Sequence, residues 1–370
     1  MSTRRKFLID SAQAAGTLFF SGCGLSTIAN AQSPVPQSPL RRREITVGGK
    51  RVRTVDLHCH AHVPEAWEPV KDHDVGETLR TTLSGVRGAA LNIHNVNDRL
   101  RVMDEQGIDF EAVSITAFWY GAPRDAVAEL IRIQNEKLFQ LVAAHPDRFV
   151  ALASVALQFP NLAAEQLERA MRQQGMRGCL IGTSVNGEEL SSPRLRPFWA
   201  KAEELGALVF IHPQNFAEGA ARFRGNGNLP NVIGNPLDTT TALAHLIFDG
   251  VLDRYPGVKI CAAHGGGYLP SFAARADRCF TQAPDACKPV KQPPSAYLKQ
   301  IYYDSLVFTA EQLRHLVAEA GAGQIVMGTD HPFGWTSESV DHILNTPSLS
   351  DDDKRAMLGE NAAKLLRLPA

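Results

Sequence analysis

Short apolar runs recur along residues 54–330 and alternate with longer stretches of helical periodicity. The runs are rich in Val, Ile, Leu and Ala and are nearly continuous, which is typical of parallel strands covered on both faces. The sequence therefore predicts eight buried strands. They are Thr54–His60, Ala112–Ala117, Phe149–Val155, Gly178–Gly182, Leu208–Pro213, Lys259–Gly265, Ile301–Ser305 and Ile325–Asp330.

The stretches between these runs carry apolar residues at helical spacing, and several end in helix-stop residues such as Gly175 and Gly206. Strands that alternate with helices predict an α/β fold, a (β/α)8 TIM barrel whose active site lies at the carboxyl-terminal rim. An open doubly wound sheet is the alternative, but Gly265-Gly266-Gly267 lacks the spacing of its dinucleotide fingerprint. The predicted helices are Arg124–Ala144, Leu162–Gln174, Arg196–Glu204, Thr239–Arg254 and Ala310–Ala320.

The amino-terminal segment differs from the rest of the chain. Residues 1–31 contain Thr3-Arg4-Arg5-Lys6-Phe7-Leu8, which resembles a twin-arginine export motif, and end in a small-x-small cleavage signal. Residues 32–45 are rich in Pro, Ser and Arg and predict a linker, which leaves 46–370 as the barrel domain. We therefore expect an exported, periplasmic protein.

Two alternatives remain for this segment. Phe20-Ser21-Gly22-Cys23 is a degenerate lipobox, so a lipoprotein anchored at Cys23 is one alternative. A basic tail without a targeting function is the other. The apolar part of the segment is short and is broken by polar residues, which makes it a poor membrane span.

Composition narrows the range of partners. The chain is 44% hydrophobic and 21% charged, with a formal net charge of -1, which is ordinary for a globular protein. Charge of neither sign dominates, so the composition gives no argument for nucleic acid or for an acidic membrane surface. A small-molecule substrate is the expected partner.

The spacing of the cysteines argues against a metal site built from thiolates. The chain has no CxxC spacing, which disfavours a thiolate zinc site. Cys59, Cys179 and Cys261 lie within apolar runs and are expected to be small buried hydrophobic residues. Cys279 and Cys287 flank a polar loop, and their pairing in an oxidising compartment stays open.

Five metal-compatible side chains stand at the ends of the predicted strands. Because the carboxyl ends of parallel barrel strands share one rim, we expect these side chains to converge. The first two are separated by one residue, so both imidazoles point to the same face of their strand. Histidine and carboxylate ligands suit Zn²⁺, with Mn²⁺ as the alternative. The five residues are His58, His60, His212, His264 and Asp330.

One of the five should be left over for proton transfer. His264 is the choice, since an imidazole titrates near neutrality and the glycines after it let a substrate come close. Asp304 and Asp56 are predicted to orient the ligands through hydrogen bonds. A surface or capping role is the alternative for both.

These motifs carry a resemblance to the metal-dependent amidohydrolase superfamily. Within it, the chain is similar to the branch of 2-amino-3-carboxymuconate-6-semialdehyde decarboxylase, over about Val55 to Leu366. Together the motifs are specific for the branch but not for one substrate. They are Val55-Asp56-Leu57-His58-Cys59-His60, Arg101-Val102-Met103-Asp104-Glu105-Gln106-Gly107, His145-Pro146-Asp147-Arg148-Phe149, Ile211-His212-Pro213, Ala263-His264-Gly265-Gly266-Gly267, Tyr303-Asp304-Ser305 and Gly328-Thr329-Asp330-His331-Pro332-Phe333.

The resemblance implies a role for each residue of the cluster. It implies that His264 is the acid–base residue. Many hydrolytic members carry a carboxylated lysine at the end of the fourth strand, whereas Gly178–Gly182 contains no lysine, which favours a single ion. The implied metal ligands are His58, His60, His212 and Asp330.

The resemblance also bears on the substrate and on the oligomer. The branch binds substrate carboxylates through two arginines, one of them from a neighbouring subunit. Arg275 matches the cross-subunit arginine in its spacing from His264, which implies a homodimer, and Arg87 matches the other arginine loosely. A solvated surface charge is the alternative for both. Gln214 and His331 depart from the branch, which has an aromatic residue and a tyrosine there, so the substrate stays open.

The predicted function is a metal-dependent, non-oxidative decarboxylase that acts on an aromatic or unsaturated carboxylic acid. The alternative is a metal-dependent hydrolase or hydratase of the same superfamily, acting on a lactone, an amide or a conjugated diacid. A non-enzymatic, exported metal-binding protein is a third hypothesis. It is disfavoured because storage of a metal does not require the additional acid–base residue.

Overall fold

A computed structural model describes residues 42–82, 85–214, 216–333 and 338–369, without the side chains of residues 82 and 85–87. These residues belong to one compact unit, 40–370. The predicted export signal, Cys23 and residues 32–41 of the linker lie outside the described residues, so the domain boundaries stay predictions. Residues 42–45 lie against the barrel: Ile45 is buried, and Arg43 pairs with Asp341 at 2.5 Å.

Eight parallel strands form the centre of the molecule. Strands β1 to β3 pair in chain order in one sheet, and strands β4 to β8 pair in chain order in another. Parallel bridges between Cys59 and His331 and between Ala153 and Cys179 join the two sheets into a closed barrel. The strands are β1 Val55–His60, β2 Phe110–Ser114, β3 Phe149–Ala151, β4 Gly178–Gly182, β5 Leu208–His212, β6 Lys259–Ala262, β7 Ile301–Asp304 and β8 Ile325–Val326. The (β/α)8 prediction is confirmed.

Helices follow the strands and cover the outside of the barrel. The α-helices are α1 Asp74–Thr82, α2 Gly85–Leu91, α3 Val96–Gln106, α4 Arg124–Ala144, α5 Pro160–Gln173, α6 Arg196–Leu205, α7 Asn235–Phe248, α8 Val251–Arg254, α9 Leu269–Gln282, α10 Ala310–Ala320, α11 Ser339–Asn345, α12 Asp351–Arg355 and α13 Asn361–Leu365. Short 3-10 or π turns occur at Pro64–Val70, Pro193–Leu195, Ala217–Gly219, Pro230–Gly234, His264–Gly266, Pro284–Cys287, Pro294–Gln300, Ala322–Gln324 and Ala356–Glu360. Two-stranded antiparallel hairpins lie at Thr46–Val47 with Lys50–Arg51 and at Ser184–Val185 with Glu188–Glu189.

The predicted strands Ala112–Ala117, Phe149–Val155 and Lys259–Gly265 extend past the observed strands, which end at Ser114, Ala151 and Ala262. Two other predicted elements differ more. The predicted helix Thr239–Arg254 is two helices, because Gly250 adopts φ 71° and ends the first one. The predicted eighth strand is regular only at Ile325–Val326, although its backbone continues along β1. The amide of Leu57 donates to Met327 O at 2.9 Å, and the amide of His60 donates to His331 O at 2.7 Å.

The barrel interior and the strand–helix interface form one continuous core. Every residue of β1, β4 and β5 is buried, as the near-continuous apolar runs predict. Cys59, Cys179 and Cys261 are fully buried, as expected. Among the described residues, no helix combines the length and apolar character needed to cross a membrane.

Candidate metal centre

The ends of three strands bring the four predicted ligands together at the carboxyl-terminal rim. His58 and His60 belong to the last half of β1, and His212 is the last residue of β5. Asp330 lies on the continuation of β8. One possible ligand atom from each of these four residues lies within 4.8 Å of the other three, and all four residues are buried. Residues from distant parts of the sequence therefore converge on one point.

The candidate ligand atoms of the four residues face one another. Asp330 Oδ1 lies 3.3 Å from His58 Nε2 and 3.1 Å from His60 Nε2. The two Nε2 atoms are 3.0 Å apart. His212 Nε2 and Asp330 Oδ1 are buried and form no hydrogen bond with any described residue. Because buried polar atoms are nearly always satisfied, this arrangement fits a cation bound between them.

The environment favours the metal-binding forms of three of these groups. Burial alone would lower the pKa of His58, but hydrogen bonds to the carboxylates of Asp304 and Asp330 raise it to about 10. Burial lowers the pKa of His60 to about 4, and burial together with the neighbouring histidines lowers the pKa of His212 well below its usual value. Both imidazoles are therefore neutral, as a metal ligand must be. Burial alone would raise the pKa of Asp330, but the nearby imidazoles of His264 and His58 outweigh it and hold that pKa well below its usual range.

Asp304 and Asp56 lie directly behind His58. Asp304 Oδ2 accepts from His58 Nδ1 at 2.6 Å, which leaves Nε2 facing the cluster. Asp304 also accepts from the amides of His264 and Gly265. Asp56 Oδ1 accepts from the amides of His58 at 3.0 Å and Thr329 at 3.1 Å. Both carboxylates thus contact the backbone or ring of a cluster residue, as a role in orienting ligands requires.

His264 lies beside the cluster on a strained turn. Its Nε2 is 3.8 Å from Asp330 Oδ2, and its Nδ1 is buried without a hydrogen-bond partner among the described residues. His264 and Asp330 adopt φ values of 54° and 56°, a conformation rare for residues other than glycine. A Cβ atom at Gly267 would lie 2.1 Å from Pro236 O, so the turn after His264 requires glycine there.

An open cleft of about 610 Å³ leads from the rim to His264 and Asp330. Its walls include residues from the amino-terminal ends of α7, α9 and α10, where helix dipoles favour negative charge. Of the described residues that line it, Asp330 alone is acidic. The cleft therefore suits an anionic ligand that approaches the cluster. The other lining residues include Asn235, Pro236, Ser271, Leu306, Val307, Phe308, Gln312 and His315.

Gln214 occupies the space beside the last residue of β4. Gly182 pairs in register with His212, so a side chain at position 182 would point toward the same rim. A Cβ atom at Gly182 would lie 2.0 Å from Gln214 Oε1, and Gln214 Nε2 hydrogen-bonds Ala117 O. Gln214 thus fills the space that a side chain at position 182 would occupy, and the single ion stays a prediction.

Of the two predicted substrate arginines, Arg275 does not join the cluster. Arg275 is exposed on α9 and does not line the cleft of its own chain. The side chain of Arg87 lies outside the described residues. Cys279 is exposed and Cys287 is buried, and both are free thiols.

Sequence reasoning missed a buried ion pair next to the cluster. Arg99 on α3 donates from Nε to Glu111 Oε2 at 2.5 Å and from Nη2 to His60 O at 2.9 Å. Arg99 and Glu111 are 7% and 1% exposed. Glu111 lies inside an apolar run, and a charge within a buried strand was the one available signal.

The chain is similar to several known proteins. A family profile for amidohydrolases matches residues 55–368. The 2-amino-3-carboxymuconate-6-semialdehyde decarboxylase of Dictyostelium discoideum is 31% identical over 332 residues, which cover 85% of this chain and 91% of that protein. The gamma-resorcylate decarboxylase of Rhodococcus jostii is 30% identical over 337 residues, 85% of this chain and 98% of that protein.

A solved structure extends the comparison to the metal. The dihydroxybenzoic acid decarboxylase of Polaromonas sp. JS666, with bound manganese and the inhibitor 2-nitroresorcinol, superposes with a TM-score of 0.72. It is 26% identical, and the match covers 86% of this chain and 97% of that one. A divalent metal is therefore supported both by the donor set and by this relative. The chain belongs to the amidohydrolase family.

Proposed function

We propose that this protein is a metal-dependent, non-oxidative carboxy-lyase whose substrate is an aromatic or unsaturated carboxylic acid. The observation that carries the proposal is the buried cluster of three imidazoles and one carboxylate, with unpaired donor atoms, next to His264 at the end of an anion-compatible cleft. The named relatives are decarboxylases, which agrees with the carboxy-lyase prediction.

The residues of the cluster and His264 have different roles in the proposed reaction. His58, His60, His212 and Asp330 would hold one divalent ion, which supplies Lewis-acid polarisation of a substrate oxygen. His264 Nε2 faces the cluster, whereas its Nδ1 is buried, so Nε2 is the atom that exchanges a proton with the substrate. The carbon that bears the carboxylate takes up that proton. The carbon–carbon bond then breaks, its electron pair returns to the ring or double bond, and carbon dioxide leaves.

The direct test measures carbon dioxide release by metal-loaded protein. Purified protein is reconstituted and incubated with 2,6-dihydroxybenzoate and with a panel of other aromatic and unsaturated acids. We expect carbon dioxide and the matching decarboxylated product from at least one acid, and none from a His264→Asn variant. Ring opening or water addition without carbon dioxide across the panel would contradict the proposal in favour of a hydrolase or hydratase.

We propose Zn²⁺ as the ion, with Mn²⁺ as the alternative. Three imidazoles favour Zn²⁺, since nitrogen donors suit it better than they suit Mn²⁺. The manganese in the Polaromonas relative supports the alternative. Metal analysis of the purified protein, followed by reconstitution of the chelated protein with each ion, decides between them. Higher activity with Mn²⁺ at equal occupancy would contradict the choice of Zn²⁺.

We also propose a homodimer in which Arg275 reaches the partner's cleft. Arg275 is exposed and absent from its own cleft, and Phe272, one helical turn earlier on α9, is 61% exposed. A large exposed aromatic residue next to an arginine that does not line the cleft of its own chain suits a surface that another subunit covers. The expected result is a dimer by light scattering.

Subunit mixing tests the role of Arg275. Arg275→Met and His264→Ala chains are each expected to be inactive alone. Co-expressed, they should regain activity, because a mixed dimer contains one site with His264 from one chain and Arg275 from the other. Failure of the mixed dimer to regain activity would show that Arg275 does not act across subunits.

We propose export through the twin-arginine route, on the motif at residues 3–8 alone. Fractionation of cells that express the full chain should place the protein in the periplasm. An Arg4→Lys/Arg5→Lys variant should remain in the cytoplasm, and a Cys23→Ser variant should be exported as before. Membrane retention that depends on Cys23 would favour the lipoprotein alternative.

A further inference from the structure

The buried pair of Arg99 and Glu111 contacts a residue of the metal cluster through its backbone. Arg99 comes from α3, which follows the long connection after β1, and Glu111 is the second residue of β2. The guanidinium donates to Glu111 Oε2 with one nitrogen and to His60 O with another. One side chain therefore joins α3, β2 and the end of β1.

The backbone around His60 explains why an arginine is needed there. The amide of His60 donates to His331 O at 2.7 Å, on the continuation of β8. In a continued parallel ladder, His60 O would next accept from the amide of Phe333. That amide instead donates to Asp330 O at 2.8 Å, within the turn that carries the carboxylate ligand. Arg99 Nη2 takes the place of the missing ladder donor.

The pairing on the other side of β1 is also irregular. Asp56 pairs in register with Glu111, and Cys59 pairs with Val113, so the ladder between β1 and β2 shifts between these positions. The ladder to β2 resumes at Cys59 and His60, so His60 lies just beyond the shift. Outside the metal cluster, the His60 ring has a long hydrogen bond between Nδ1 and Thr116 Oγ1 of 3.3 Å and an edge contact with the Phe333 ring. The direction of the His60 ring depends on where the backbone of His60 is held.

We propose that Arg99, anchored by Glu111, is a positioning residue that fixes the backbone of His60 and thereby aims His60 Nε2 at the metal. This inference rests on the proposed function, because it takes His60 to be a ligand. Removal of the arginine fork should leave the other three ligands in place. We therefore expect weaker binding of the metal by a folded protein, rather than loss of the fold.

The test compares metal affinity in three variants of the full chain. Arg99→Met/Glu111→Met removes both charges, so no uncompensated ion stays in the core. Arg99→Lys keeps the charge next to Glu111 but lacks the fork that also reaches His60 O. Arg101→Met is the matched control, since Arg101 lies on the same helix and pairs with Glu105 at an exposed site. Zn²⁺ affinity is measured by competition with a chelator, and ligand geometry by the visible absorption of Co²⁺-loaded protein.

The expected result is a dissociation constant for Zn²⁺ about 10- to 100-fold higher in the double variant and in Arg99→Lys, with an altered Co²⁺ spectrum, as for other residues that orient metal ligands. Arg101→Met should match the wild type in both. If the double variant does not fold, Arg99→Lys decides. Wild-type affinity and spectrum in the folded variants would overturn the positioning role alone. A wild-type chain that binds no metal would overturn the proposed function as well.

Discussion

Two buried clusters include residues of β1, and in each of them metal-compatible atoms lie within 4.8 Å of one another. The two clusters differ in how their polar atoms are hydrogen-bonded. The first holds His58, His60, His212 and Asp330, and the second holds Asp56, Cys59 and Glu111. Asp330 Oδ1 and His212 Nε2 of the first cluster have no hydrogen-bond partner among the described residues. In the second, Arg99 pairs with Glu111, and Asp56 accepts from two amides and from the Thr329 hydroxyl.

The comparison teaches that proximity of donor atoms does not by itself define a metal site. The thiol of Cys59 has a pKa well above its usual value, because of burial and the nearby Glu111 carboxylate. It therefore stays a thiol, which is a poor ligand. The polar groups of the second cluster are paired within the protein, which fits a structural role. The first cluster is unsatisfied, which fits a bound cation.

The largest expected effect follows removal of the carboxylate ligand. Asp330→Asn keeps the size of the side chain but loses its charge, so the ion should be lost from the purified protein. We expect kcat/KM to fall on the order of 10⁴-fold, the several kcal/mol that a metal contributes to the transition state. Metal analysis and steady-state kinetics provide the measurement. Asp341→Asn, at an exposed carboxylate on α11, is the control and should keep full metal content.

His264→Asn tests whether the residue beside the cluster is a proton donor or a ligand. A proton donor predicts that kcat falls by about 10³-fold while metal content stays at the wild-type level. His315→Asn is the matched control, since His315 lines the same cleft but hydrogen-bonds Ser271 instead of contacting the cluster. Loss of metal from His264→Asn would instead assign His264 to the ligand set.

Glu111→Ala should break the second cluster by leaving the Arg99 guanidinium buried and unpaired. We expect a loss of roughly 3 to 5 kcal/mol in the free energy of unfolding, the usual cost of removing one partner of a buried ion pair. Denaturant unfolding measures it. Glu105→Ala, at the exposed pair with Arg101, should change the free energy of unfolding by less than about 0.5 kcal/mol. An equal effect in both variants would show that burial of the Arg99–Glu111 pair adds nothing.

The smallest expected effect concerns the edge of the first cluster. Gly182→Ala places a methyl group against Gln214 Oε1, the end of a flexible side chain, and should cost about 1 kcal/mol of stability. Gln214→Ala in the Gly182→Ala background should restore part of that loss. Thermal unfolding of the two variants provides the check. Equal stability of the wild type and Gly182→Ala would show that Gln214 moves aside freely.

Much of the fold and of the cluster was predictable because both depend on local pattern. Buried parallel strands are apolar along their whole length, so the eight runs were visible, and Arg124–Ala144 and Ala310–Ala320 have the predicted helix bounds. Barrel topology then requires the strand ends to meet at one rim. His58, His60 and His212 stand at such ends, so their convergence with Asp330 followed from the chain alone.

Other features depend on pairings between distant residues that no local pattern records. In the sequence, the pair of Arg99 with Glu111 cannot be distinguished from the pair of Arg101 with Glu105. The structure shows that the first pair is buried and that the second is exposed. The place of Gln214 against Gly182 depends on how the ends of β4 and β5 lie side by side.

The sequence by itself determined the strand order, the rim and the chemical types of the cluster residues, because apolar periodicity and strand ends are local properties. Only the tertiary structure decided which polar atoms are satisfied and which are left free. Hydrogen bonding in the core is settled by atoms a few ångströms apart in space, and these atoms come from residues widely separated along the chain.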